Sequence, residues 1–228
     1  MVDVDCQMSD ASLMKNDIVL YGNRPVTSPY VMSVFVALNE KGLDFQFELL
    51  DLGAGEQHTS EYVARSVTNR VPTLKIEGEY LSESSAITEF LEERFAPGKF
   101  PRLYPADLHE RARVRMAQAL IRSDFMPIRV ERSTETIFQN AAIAPLSPEA
   151  LESKARLERI ALALLTHGSG YVASEFSIAD VDLATLLQRL VANGDNISPL
   201  LIEYANRIWQ RPSVTKWLAL TKYQGPRS

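Results

Sequence analysis

The chain has 228 residues, 46% of them hydrophobic and 23% charged, with a formal net charge of -5. That length can bury a sizeable core in one or two domains, and the interleaved charges leave no basic surface that would make nucleic acid the main partner. One cysteine, Cys6, excludes an intrachain disulfide and fits a reducing, cytoplasmic setting, and no apolar run approaches the ~18 residues of a membrane span.

Residues 1–16 are acidic and lack an apolar stretch, so they read as a loose tail and not as a signal peptide. IVLYG (18–22) is a short apolar run that ends on a glycine and predicts a buried strand. A polar turn, NRPVT, leads to a helical pattern opened by Ser28-Pro29 and closed by Gly42. LDFQFELLDL (43–52) predicts a second strand. Residues 53–69 predict a loop with a short helix. VPTLKI and EYLS, joined at Glu77-Gly78, predict a hairpin, and SESSAITEFLEERF (82–95) predicts a helix. The order βαβαββα is a small mixed sheet covered by helices.

APGKFPRLYPADL (96–108) carries three prolines and a glycine and marks a change of character. The expected units are a tail (1–16), an α/β domain (17–97), a linker (98–106) and an all-helical domain (107–228). Helices are expected at about 107–138, 148–167, 177–193, 198–209 and 212–220.

Three short stretches carry the candidate chemistry. Ser28 is a favoured N-cap, and a hydroxyl there also lies at the positive end of a helix dipole, where anions and thiolates are stabilised. Thr27 is a rival for the same role. In NRVPTL, Pro72 at a strand start cannot donate to the ladder, and a cis bond before it would turn Val71 outward, with its amide and carbonyl free for a peptide-like ligand. In LSESSAI, Glu83 and Ser84 precede a helix; they read as a cap, or as a pair that meets the amine and carboxylate of an α-amino acid.

SPYVMSVFVALNEKGL, RVP and ESSAITEFLEERF together resemble the N-terminal domain of a glutathione transferase. FSIADVDLA (176–184) resembles the second-domain capping motif of that family. The likeness spans residues 18–222. Within the family it is nearest to bacterial YfcF-like, serine-type enzymes, and the Ser-Pro-aromatic opening also resembles the plant tau class. Zeta-class isomerases resemble the chain less, because their Ser-Ser-Cys opening is missing. The absence of a cysteine beside Ser28 argues against thiol exchange of the omega, lambda or dehydroascorbate-reductase kind.

The resemblance implies a thioredoxin-like domain followed by a helical domain. It implies a cytoplasmic homodimer with glutathione as co-substrate, no metal, and a role in detoxification or oxidative stress. Ser28 would hydrogen-bond the glutathione sulfur. Val71, before cis Pro72, would pair with the cysteinyl backbone, Glu83 and Ser84 would hold the γ-glutamyl end, and Arg70, or less directly Gln57, the glycyl carboxylate. Conjugation of small electrophiles is the expected activity; peroxide or disulfide reduction, or binding of glutathione and apolar ligands without turnover, are the alternatives.

Tyr30, Phe125 and Met126 are candidates for the electrophile pocket, with core packing as the other reading of the last two. Arg115, Arg122 and Arg129 recur every seven residues and form one stripe, either solvated or reaching an acidic ligand. Asp124 falls on an apolar face and requires a partner. Ser177 and Asp180 form a capping box. His58, His109 and His167 lack metal-ligand spacing.

Overall fold

The computed structural model describes residues 17–166, 168–223 and 225. The expectations for the tail, Cys6 and His167 lie outside the described residues.

The N-terminal part is a four-stranded sheet of order β2-β1-β3-β4, made of β1 (Ile18–Arg24), β2 (Gln46–Asp51), β3 (Thr73–Ile76) and β4 (Glu79–Ser82). β1 runs parallel to β2 and antiparallel to β3, which forms a hairpin with β4. β1 continues two residues beyond Gly22, which is there for packing and not as a stop. A Cβ at that position would lie 2.6 Å from Phe47 Cε2 and 3.0 Å from Val31 Cγ1.

Helix α1 (Pro29–Glu40) provides the crossover between β1 and β2. Its residues Val31 to Leu38 are buried without a break. The sheet covers one side, and helices of the second half cover the other. α2 (Ser60–Val63) and α3 (Ser84–Arg94) complete the βαβαββα order. The N-terminal half is therefore a thioredoxin-like α/β domain, and the rest is helical.

The expected 107–138 helix is three helices: α4 (Leu108–Ser123), α5 (Met126–Glu131) and α6 (Thr134–Phe138). Asp124 is extended and Phe125 is left-handed at φ 63°, which ends α4. Pro127 lacks an amide hydrogen and fits only the first turn of a new helix. α7 (Pro148–Leu164), α8 (Ile178–Val191), α9 (Pro199–Trp209) and α10 (Pro212–Leu218) follow. All residues of α8 are buried, so it is the central pillar of the helical half.

The 95–107 segment is packed and not a loose tether. Leu103 and Tyr104 are buried, and the Leu103 amide donates to the Glu92 carboxylate at 2.8 Å. Lys41 donates to the same carboxylate at 2.7 Å and to the Phe95 carbonyl at 2.8 Å. Removing either buried charge would leave the other unpaired, at a cost of ~3–5 kcal/mol. From the far end of the chain, Trp217 of α10 returns to meet Phe35 of α1 edge-on at 5.4 Å. The middle and the C-terminal end of α1 are thereby tied to both halves of the chain.

Candidate functional site

Ser28 ends an extended segment and accepts from the Val31 amide at 3.3 Å, as an N-cap should. It is half-buried. Asn23 fixes the corner. Its Oδ1 accepts from the Ser28 amide at 3.0 Å, and its Nδ2 donates to Thr27 Oγ1 at 2.9 Å and to the Pro25 carbonyl. The Thr27 hydroxyl is buried and occupied in this clamp, so the residue expected as a rival to Ser28 serves the turn.

A first cleft of about 200 Å³ is lined by Tyr30, Thr68, Arg70, Val71, Pro72, Glu83, Ser84 and Arg122. The Val71–Pro72 bond is cis, and among the described residues no hydrogen bond uses the Val71 amide or carbonyl. Arg70 is exposed, and its carbonyl is held by Tyr62 Oη at 2.8 Å. Glu83 has φ 71° and makes no side-chain cap bond. A non-glycine residue held there costs of order 1–3 kcal/mol, and such outliers cluster at ligand clamps. The Ser84 hydroxyl accepts from Arg122 Nη2 at 3.0 Å and Nε at 3.3 Å. The first-turn amides of α3 have no intrahelical acceptors, so this end of the cleft attracts an anion.

A second, narrow cavity of about 30 Å³ adjoins the first. Tyr30 and Arg122 line both, and Pro29, Ile121, Arg129, Asp182, Thr185, Leu186 and Arg189 complete it. Arg122 pairs with Asp182 at 3.0 Å. Arg129 donates to the Tyr30 hydroxyl and, at 2.8 Å, to the Arg122 carbonyl. Arg189 donates to the Arg132 carbonyl at 2.7 Å. Among the described residues neither Arg129 nor Arg189 has a carboxylate partner. Burial, then the Arg129 charge, brings the Arg189 guanidinium down to about 10, so it stays a cation at neutral pH. Three guanidiniums thus face one carboxylate, between apolar walls from Ile121 and Leu186.

The expected site residues divide accordingly. Tyr30, Arg70, Val71, Pro72, Glu83 and Ser84 come together around the first cleft, whereas Ser28 lies outside the lining of either cavity, two residues before Tyr30 in the chain. Gln57 lies in a 3-10 turn and also stays outside the lining. Phe125 and Met126 line neither cavity. The left-handed Phe125 turns its ring into the core, and Met126 is exposed. Arg115 pairs with Glu89 at 2.5 Å on the surface, whereas Arg122 and Arg129 converge across the helix break. Asp124 pairs with Arg156 at 2.6 Å; that bond, then the Phe125 amide, lowers its carboxyl below the usual range.

Asp180 accepts from the Ser177 amide at 2.8 Å, the expected half of the capping box, and from the Val172 amide and Tyr204 Oη, each at 2.9 Å. No cluster of potential metal ligands occurs among the described residues. Asn23, Asp182 and Arg189 carry no site role in the sequence alone. The signal for the last two is that they are charges inside the apolar pattern of α8.

A family model described as "Glutathione S-transferase, N-terminal domain" matches residues 27–94, and one described as "Glutathione S-transferase, C-terminal domain" matches 107–223. Rat maleylacetoacetate isomerase is 34% identical over 173 residues, which are 72% of this chain and 77% of that protein. A zeta-class glutathione S-transferase of Euphorbia esula is 35% identical over 95 residues, 42% of this chain and 41% of that protein. The zeta-class likeness is therefore stronger than the missing Ser-Ser-Cys opening implied. A glutathione transferase homologue from Burkholderia, solved with bound glutathione, superposes with a TM-score of 0.74 at 39% identity, over 89% of this chain and 96% of its own.

Proposed function

The chain belongs to the glutathione S-transferase family, and on that premise we propose that it binds glutathione in the first cleft and activates its thiol from Ser28. The observation that carries this is the convergence of Val71, Glu83 and Ser84 on one cleft that Tyr30, in the first turn of the helix capped by Ser28, also lines. The unpaired Val71 amide and carbonyl suit the cysteinyl backbone. The free Glu83 carboxylate suits the γ-glutamyl ammonium. Arg122 donates to the Ser84 oxygen, which leaves the hydroxyl hydrogen for the γ-glutamyl carboxylate, and Arg70 suits the glycyl end.

A free thiol with pKa ~8.5 is about 3% ionised at neutral pH, and lowering it by about two units takes roughly 2.7 kcal/mol. A hydrogen bond to a charged group contributes ~1.5–3 kcal/mol. The α1 N terminus adds ~0.3–1 kcal/mol. A serine at the cap can therefore supply the stabilisation with no formal base. The serine donates throughout, and the thiolate attacks an electrophilic carbon in the second cavity. Attack on a peroxide or disulfide uses the same thiolate.

A second reading follows from the arginines. A cavity with more cations than anions favours an acidic second substrate. The name of the rat relative, maleylacetoacetate isomerase, points the same way, to an acidic substrate. The serine-type, YfcF-like assignment, a cytoplasmic homodimer and domain limits of 17–97 and 107–228 complete the proposal. No described helix is long and apolar enough to cross a membrane.

Calorimetric titration with glutathione, followed by turnover assays on an aryl halide, an acidic enone and a hydroperoxide, tests the reading. Saturable binding with turnover of at least one acceptor supports it. Binding without turnover would make the protein a glutathione receptor, and no binding would overturn the proposal.

A further inference from the structure

Tyr30 stands in the wall between the two cavities, so its side chain borders both the cleft proposed for glutathione and the space for the second substrate. Its hydroxyl meets Arg129, and the guanidinium carbon lies 5.6 Å from the ring centre. Arginine has donors and no acceptor. In this contact the tyrosine oxygen must therefore accept, and the hydroxyl hydrogen is directed away from Arg129. No acceptor for that hydrogen occurs among the described residues. Arg129 is itself held by the Arg122 carbonyl at 2.8 Å, so the phenol oxygen is fixed by a fixed cation. A half-buried O–H with its lone pair engaged and its hydrogen free, between two binding spaces, is arranged as a donor.

We propose that Tyr30 is a catalytic residue that donates its hydroxyl hydrogen bond to the oxyanion formed when the second substrate is an α,β-unsaturated carbonyl compound. The inference rests on the reading of the first cleft as the glutathione site. The thiolate lone pair forms the C–S bond at the β-carbon, and the C=C π pair moves to close an enolate whose negative charge lies on the carbonyl oxygen. Tyr30 donates to that oxygen. The α-carbon then takes a proton from water, which balances the proton the thiol gave to solvent on ionising, and the carbonyl is restored. Reversal after rotation about the saturated bond returns an isomerised alkene and free glutathione, so the same donor serves addition and isomerisation.

The test compares wild type with Tyr30→Phe on two acceptors, an enone and a nitro-activated aryl halide. Aryl substitution puts its developing charge on the nitro groups and forms no carbonyl oxyanion. Tyr30→Phe keeps the ring beneath Arg129. The expected result is a fall of about 100-fold in the ratio of kcat/KM for enone to kcat/KM for aryl halide, the scale of one lost oxyanion donor. Arg129→Gln, which leaves the hydroxyl but loosens it, should lower the same ratio by less. An unchanged ratio in Tyr30→Phe, or equal losses on both acceptors, overturns the role of Tyr30 while the glutathione reading stands. Wild type that binds glutathione but does not turn over the enone overturns the role of Tyr30 alone, and wild type that does not bind glutathione overturns both.

Discussion

The two cavities meet at Tyr30 and Arg122, and their walls are made differently. The first is lined mostly by the segment that leads into β3 and by the start of α3, where Val71 leaves its backbone amide and carbonyl unpaired among the described residues, with the cost concentrated in the Glu83 conformation. The second presents long cationic side chains from α4, α5 and the buried α8. A wall of backbone reads a ligand whose own backbone is constant. A wall of side chains on helices can change its charge and shape by substitution without disturbing the sheet. On the proposed reading, the first half of the site holds a constant ligand and the second half is free to adapt to the other substrate.

The largest effect should come at the corner. Ser28→Ala should lower kcat by about 10- to 100-fold, the worth of one hydrogen bond to a thiolate. Glutathione affinity should fall far less, since the bond is strongest with the ionised sulfur. Steady-state kinetics beside calorimetry checks this, and equal losses in both would place Ser28 in binding alone. Next is the arginine wall. Arg189→Met should weaken binding of an acidic competitor such as a short dicarboxylate by at least about tenfold, because buried charge pairs carry ~2–5 kcal/mol. The loss for an uncharged acceptor should be smaller, and equal losses would mean that the wall does not read charge.

Glu83 separates stability from binding. Glu83→Gly should raise the unfolding free energy by about 1 kcal/mol, since glycine accepts a positive φ, while glutathione affinity falls. Glu83→Ala should weaken binding without that gain. A glycine variant that binds as well as wild type would remove Glu83 from the site. The smallest effect on turnover belongs to Thr27→Val. It should cost about 1 kcal/mol of stability through the lost Asn23 bond, and change kcat by less than about threefold. A loss as large as that of Ser28→Ala would transfer the hydroxyl role to Thr27.

Much of the first cleft was legible because its signals are local. Ser28-Pro29 specifies its own helix start, Val71-Pro72 its own break in the ladder, and Ser177 with Asp180 its own cap. The second cavity was not legible, because its members meet only through tertiary packing. Arg122 and Asp182 are 60 residues apart in sequence and join across two helices. A seven-residue repeat grouped Arg115 with Arg122 and Arg129, although the helix breaks at Asp124–Phe125. Pro127 was the available sign of that break. Asn23 was missed for a different reason, since it acts across a five-residue turn that has no periodicity.

The central claim is that Ser28 stabilises a thiolate, and the most direct measurement is the ultraviolet titration of the bound glutathione thiol in wild type and Ser28→Ala. A thiol pKa lowered by about two units in wild type and returned toward the free value of ~8.5 in the variant is the predicted result. A bound thiol that titrates at its free value in both proteins would contradict the claim and leave the fold as a glutathione-binding scaffold.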